Sequence, residues 1–351
     1  MMKQSFTLIV LALAVAGCAS TKVEDTTPLN PTSVLKAEYA INGLYVPDYT
    51  GEQTVLTRES KRVIHEINTF DSWLMRWANS DKSRVFDSPK NKSYYIDYDD
   101  ETYSECPMAG CDEVSFTDSI FEKDEDAEEY QTYEEVGCSV DLKENSFAVE
   151  KTGKSRIING FDTEQYVVNW TTRYHDTTGA EDKNIVTFDF WTTTQNAQTK
   201  RALQVHEKFQ DSYLKAIGDD NALMNLLGAQ AYKAIAGFTG DISNEDNQFV
   251  GEIGQKLATI KGYPISVKLE WKQQLKACKT ARKPVDYSAG LDEVGSQLLG
   301  GLMDKGKEMV MDHWRKDPVV RYVYEIKSVE MKDVRESKFV VPKDFKLINR
   351  S

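Results

Sequence analysis

Few side chains in this sequence stand at spacings that support chemistry. His206-Glu-Lys-Phe-Gln210 comes within one residue of H-E-x-x-H, the pattern that sets two imidazoles on one helix face for zinc. Glutamine in the second position leaves a single ligand, and a lone imidazole does not hold the metal. Asp241, Ser243, Glu245 and Asn247, followed by Glu252, alternate like calcium-loop ligands, but Asp246 stands where the sharp turn needs glycine. Asp124-x-Asp126-x-Glu128 fails the same test. The four histidines, His65, His175, His206 and His313, are scattered, and each reads as a surface or internally satisfied residue. No G-x-S-x-G, P-loop or G-x-G-x-x-G occurs, and 56 acidic residues are too many to nominate a carboxylate pair. The expectation is a protein with no catalytic residues, no metal and no cofactor, a hydrolase being the enzymatic alternative.

Cysteine carries more information. Of five, Cys18 stands apart, leaving Cys106, Cys111, Cys138 and Cys278. An even remainder in an exported chain favours two disulfides, with three possible connectivities. Cys106-Pro-Met-Ala-Gly-Cys111 contains turn-forming residues, so a local bridge is geometrically easy there, which would leave Cys138 to pair with Cys278. A metal site or redox pair is the alternative, disfavoured by C-x₄-C spacing with no histidine nearby.

Export itself is read from the N-terminus. Lys3 supplies a positive charge, and Phe6 to Ala16 is an uncharged run of 11 residues, too short to span a bilayer and suited to a signal peptide. It ends in Val15-Ala16-Gly17-Cys18, which matches the lipobox of bacterial lipoproteins. Small residues at 16 and 17 fit a narrow processing site, and the Cys18 thiol is the nucleophile for linkage to diacylglycerol. Ordinary cleavage after Ala14-Val15-Ala16 is the alternative. Two or more acyl chains, at about 0.8 kcal/mol per buried CH₂, would anchor the protein stably in membrane lipid. Alanine rather than aspartate at 19 points by analogy to the outer membrane, with the domain facing the periplasm. Polar residues then continue through Pro28-Leu29-Asn30-Pro31, and positions 18–33 read as the lipidated cysteine and a flexible tether.

The remainder, 34–351, reads as one domain. The formal charge is −13, or −14 once residues 1–17 and their Lys3 are removed, a poor match to nucleic acid or anionic lipid surfaces. Runs rich in Tyr, Ile and Val at Lys36 to Val46, Arg62 to Thr69 and Lys92 to Tyr103 predict strands. An acidic stretch, Asp118 to Glu135, predicts a solvated loop. Tyr166 to Tyr174 and Ile185 to Trp191 alternate and are joined by a short turn, which predicts a hairpin. Ile265, Val267, Leu269 and Trp271 share one face of a later strand, and Val320, Tyr322, Tyr324 and Ile326 one face of the last. There the apolar phase jumps to Val329 and Met331, predicting a bulge near Ser328. Helical spacing links Ala202, Val205, Phe209, Tyr213 and Ile217, then Leu223 to Ile235, and a third, glycine-rich segment covers Leu291 to His313.

Gly160-Phe-Asp-Thr-Glu-Gln-Tyr166, Phe188-Asp-Phe-Trp191, Gly262-Tyr-Pro-Ile265 and the tail from Ser328 through Phe339, Pro342 and Phe345 to Leu347 together resemble a family of uncharacterised bacterial envelope proteins. That family is similar in fold to the periplasmic lipoprotein carriers of the Lol system. The resemblance covers roughly 155–348 discontinuously; this chain lacks a cysteine within 160–166 and carries helical insertions at about 198–261 and 286–318. It implies an α+β fold, a curved antiparallel sheet forming a half-open barrel with helices across its concave face, and offers no catalytic residues. Trp170, Phe188, Phe190 and Trp271 then either line a ligand cavity or fill a core. The expected function is a non-catalytic, outer-membrane-anchored lipoprotein binding a hydrophobic ligand, such as an acyl chain or a lipidated peptide. The alternative is a structural lipoprotein that binds an envelope partner and has a filled core.

Overall fold

A computed structural model describes residues 25–43, 48–108, 137–193, 197–217, 255–278, 318 and 320–348. The expected signal peptide, Cys18, Cys111, the acidic stretch, the calcium-like loop, His313 and the expected helices Leu223 to Ile235 and Leu291 to His313 lie outside the described residues.

Twelve strands form a single sheet. The first six, β1 (Leu29–Gly43), β2 (Tyr49–Thr57), β3 (Lys61–Phe70), β4 (Ser80–Asp87), β5 (Lys92–Asp97) and β6 (Thr102–Pro107), pair in chain order as one antiparallel meander. A second meander comprises β7 (Val140–Ile158), β8 (Phe161–Asp176), β9 (Glu181–Thr193), β10 (Tyr263–Gln274) and β11 (Val320–Arg335). The two are welded where β1 pairs antiparallel with β11 from Leu29↔Arg335 to Gly43↔Val320. Two-residue β12 (Lys346–Leu347) adds parallel to β6, and since β12 and β7 end the strand order the sheet is not closed.

Alternation explains which residues go inside. Cross-strand rows run straight through the second meander and the weld: Tyr322 opposes Leu269, Leu269 opposes Phe188, and Phe188 opposes Val168. One step along, Val320, Trp271, Val186, Trp170 and Phe147 form the next row. β-branched and aromatic residues packed in this way stabilise paired strands. The hairpin of β8 and β9, the strand around Ile265 to Trp271 and the bulge are all present. The register slips where Lys36 faces Ser328 but Ala37 faces Ile326, leaving Lys327 as the extra residue.

Three expectations need correction. The run Lys92 to Tyr103 is two strands, separated by a turn in which Glu101 has φ 52° and the Asp97 side chain accepts the backbone N–H groups of Asp99 and Asp100. The tether does not extend to 33: β1 begins at Leu29, and Thr32 and Ser33 are fully buried. Their hydroxyls have partners there, since Thr32 accepts from Arg58 Nε at 2.9 Å and Ser33 donates to the Ala202 carbonyl at 2.9 Å. The third is that β2, β4 and β7 are absent from the expected strands; the charge-rich sequence of β7 sits at the sheet edge, where polar residues face water, and the Asn159-Gly160 turn, with both residues at positive φ, returns it to β8.

Helix α1 (Ala197–Ile217) follows β9 and packs across the weld, against β11, β1 and β2. Beneath it Ser33, Thr57, Arg62 and Phe86 stand directly opposite one another on β1 to β4. The helix meets this row in the same order, at Ala202, His206, Gln210 and Tyr213. Eleven helical residues advance about 16 Å and three strand spacings about 14 Å, so the axis crosses the strands at a steep angle. On the opposite face Val63, Val85 and Ile96 pack against Phe339 of the C-terminal segment, joined by Val341 and Phe345, which accounts for the aromatic tail pattern. Glu336, which receives Arg58 and Lys61, ties that segment down.

One close approach tests the packing. The Tyr39 ring lies across Gly51, its cross-strand neighbour, and its hydroxyl donates to Asn68 Oδ1 on β3 at 2.5 Å. A Cβ at position 51 would stand 2.2 Å from that ring. Gly51→Ala should therefore cost about 2 kcal/mol by forcing the ring aside, measurable by urea denaturation, while Gly51→Ala combined with Tyr39→Leu should recover part of the loss.

Candidate functional site

Among the described residues the two largest apolar clusters share Tyr324. The larger contains Tyr39, Phe147, Tyr166, Val168, Trp170, Phe188, Phe190, Leu269, Trp271 and Tyr322 among others. The second brings Leu35, Ala37, Val55, Ile265, Ile326 and Val329 together with Ala202 and Leu203 of α1. Tyr324 packs against both. The four candidate lining residues are thus brought together in the larger cluster. Phe188 and Phe190 stack at 5.8 Å, each 1% exposed. Trp170 Nε1 donates to Asn145 Oδ1 at 2.9 Å, and Trp271 Nε1 to Asn184 Oδ1 at 3.3 Å.

Between the clusters the interior becomes polar and tyrosine-rich. Burial pushes the phenol pKa values of Tyr39, Tyr49, Tyr263, Tyr322 and Tyr324 up. Tyr324 donates to Gln53 Oε1 at 3.0 Å, and Gln53 in turn donates to Glu66 at 2.7 Å. Tyr49, Tyr263 and Tyr324 nevertheless remain only half-buried. Phenols lodged deep enough to be desolvated, on rings that keep accessible surface, border the interior rather than fill it.

The most unusual chemistry lies where α1 crosses β2 and β3. Arg62 is 9% exposed, and its guanidinium donates through Nε to Thr57 Oγ1 at 3.3 Å, through Nη1 to Gln210 Oε1 at 2.7 Å and through Nη2 to the His206 carbonyl at 2.8 Å. The Phe209 ring lies 4.4 Å from its central carbon. Among the described residues no carboxylate is hydrogen-bonded to it, and the groups that bear on it most are the phenols of Tyr263, Tyr213 and Tyr324. Burial lowers its pKa to about 10, so it is a cation at neutral pH. A buried charge without an opposite charge is expensive to maintain.

His206 is its neighbour, 3% exposed, with Nδ1 2.8 Å from Thr57 Oγ1. Thr57 Oγ1 already accepts from Arg62, so its own proton is free for Nδ1. That arrangement leaves the ring proton on Nε2, and Nε2 is buried with no partner. The expectation that every histidine is exposed or satisfied is therefore corrected at position 206. His65 and His175 are paired, with Asp81 at 2.6 Å and Glu181 at 3.1 Å. His206 falls inside because the buried stripe of α1 runs Thr199, Ala202, Leu203, His206 and Phe209, which puts the imidazole one turn from each apolar neighbour. Gln210, the residue that breaks the zinc pattern, serves Arg62 instead.

Cysteine pairing is met where it is described. Cys138 and Cys278 form a disulfide with Cα atoms 6.0 Å apart, tying the entrance of edge strand β7 to the exit of β10. Two aspartates prepare the station: Asp182 Oδ1 accepts the backbone N–H groups of Lys276 and Ala277 at 2.6 and 2.7 Å, and Asp176 accepts that of Cys278 at 2.9 Å. These bonds and those of Thr178 and Ala180 lower the Asp176 pKa to about 2. Cys106 is also disulfide-bonded, and Cys111 lies outside the described residues.

Searches against protein-family models, curated proteins and solved structures returned no match for the chain.

Two expected outcomes follow from these sites. Replacing both Cys138 and Cys278 by alanine opens a loop of 140 residues and should lower stability in urea by about 5 kcal/mol on the loop-entropy account. Burial, and then Arg62, hold the His206 pKa down at about 3 against an ordinary 6.5. Below pH 6.5 the unfolded chain gains a proton that the folded one refuses, so stability present above that pH is lost as pH falls toward 3. The loss should reach about 2 kcal/mol by pH 5, and His206→Gln should flatten that part of the denaturation profile.

Proposed function

We propose that the protein is an exported lipoprotein, anchored in the outer membrane through acyl chains on Cys18, whose domain binds a hydrophobic ligand without catalysing a reaction. In this reading the unclosed sheet is a curved half-barrel of the kind found in the Lol-type carriers, and α1 lies across its concave side. The ligand is an acyl chain or the lipid of a lipidated peptide. The observation that carries it is the behaviour of Tyr324, which packs against both apolar clusters, and of Tyr263, which packs against the second: both phenols are desolvated yet keep accessible surface. Rings of this kind suit a ligand that is mostly hydrocarbon. The compact stacking of Phe188 and Phe190 makes that end a wall rather than a lumen.

A partner-binding role draws support from a separate feature. Trp73 and Trp77, 72% and 74% exposed, flank Leu74 in the connection from β3 to β4. On that reading Trp73→Ala with Trp77→Ala abolishes crosslinks to envelope proteins in intact cells and leaves ligand uptake unchanged.

The anchor and the ligand can be tested separately. Cys18→Ala should move the protein from the membrane fraction to the soluble fraction; continued membrane association would overturn the anchor. The same variant, purified without detergent, should carry acyl lipid in native mass spectra and take up a fluorescent fatty acid saturably. Absence of both would overturn ligand binding.

A further inference from the structure

Arg62 and His206 have an excess of donors over acceptors. A guanidinium offers five N–H groups, and its three described hydrogen bonds, to Thr57, Gln210 and the His206 carbonyl, leave about two without an acceptor. The Nε2–H of His206 is a further unmatched donor, sealed from solvent. Buried donors without acceptors cost free energy, and the cost is greater when one of them is charged. Among the described residues no carboxylate is hydrogen-bonded to the guanidinium; the groups that bear on it are the phenols of Tyr213, Tyr263 and Tyr324, and the Phe209 ring faces it. Two of those phenols, Tyr263 and Tyr324, are the ones on which the ligand reading rests. The chain as a whole carries −13, so a cation secluded beneath α1 is not part of a generally basic surface.

We propose that Arg62 and His206 seat the anionic head group of the ligand, an oxyanion at the end of an apolar chain. Guanidinium N–H groups and the Nε2–H bond its oxygens, and the hydrocarbon runs past Tyr263 and Tyr324 between the two clusters. Charge-assisted bonds of this kind are the strong ones, and the planar fork of arginine matches a carboxylate or phosphate edge. Because Nε2 is covered in the present form, the head group enters by displacing part of α1 rather than by filling an open mouth. This assignment deepens the ligand reading above and depends on it.

The test uses the full chain carrying Cys18→Ala, free of detergent, with dodecanoate, dodecyl phosphate, dodecanol and inorganic phosphate as probes. Dodecanoate or dodecyl phosphate should bind at least about tenfold tighter than dodecanol, and the comparison of the two anions identifies the preferred head. Arg62→Gln, which retains amide donors for the His206 carbonyl, should erase that preference and leave dodecanol binding unchanged. In the unsubstituted site the anions, but not dodecanol, should shift the His206 imidazole ¹⁵N resonances, a readout that does not depend on how the variant folds. Equal binding of anionic and neutral chains with unmoved histidine resonances overturns the head-group assignment alone. Binding of no chain at all overturns the ligand reading and this assignment with it. Inorganic phosphate binding as tightly as the chains would show a small-anion site and overturn the amphiphile.

Discussion

The pairing of β1 with β11 is the constraint on which the rest of the structure hangs. The first meander is joined by short connections and could be zipped from short-range contacts, whereas in the second the chain makes long excursions between β9 and β10 and between β10 and β11. The weld between Leu29–Gly43 and Val320–Arg335 is the long pairing that joins the two ends of the chain. It sets Tyr322 and Tyr324 beside Tyr39, gives the interior its two clusters and brings the C-terminal segment back against Pro28 and Arg58. Lys327, bulged out of the pairing, reconciles two apolar phases that would otherwise put Val329 on the solvent side.

α1 depends on that weld, since its buried stripe spans β1 to β4 and also touches β11. The helix is held in two ways. Leu203 and Phe209 are wholly buried, the expected contribution of an amphipathic helix. A line of polar side chains, Ser33, Thr57 and Arg62, adds bonds that an apolar interface would not need. Polar groups in such a place hold position at a cost in stability unless every one is matched. Here His206 Nε2 is not. The mismatch sits close to Arg62, whose other neighbours include Tyr263 and Tyr324.

The opposite end shows how a sheet of this width protects its margin. β7 is a long edge strand with charged residues facing water and two register slips, at Leu142/Glu144 and Lys151/Ser155. Both discourage pairing with another chain. The Cys138–Cys278 bridge and the two aspartates that position residues 276–278 pin the entrance of this strand to the interior strands.

Local sequence determined most of the strands, the β8–β9 hairpin and the bulge beside Ser328, because each is written in a period of two or a turn; the parity of cysteines pointed to disulfides, and the structure decided that Cys138 pairs with Cys278. Residue type alone was weaker where periodicity is diluted. The charged β7 escaped although Asn159-Gly160 marks its return, the polar β2 and β4 escaped with it, and Lys92 to Tyr103 read as one strand because its tyrosines mask the turn. The polar residues Thr32 and Ser33 resembled a tether because their partners, Arg58 and Ala202, are distant in sequence. For the same reason nothing local distinguished Arg62 from any basic residue in a strand, or His206 from a histidine on a helix. Their significance arises from long-range packing: 144 positions separate them, and the crossing of α1 over β2 and β3 takes both out of water.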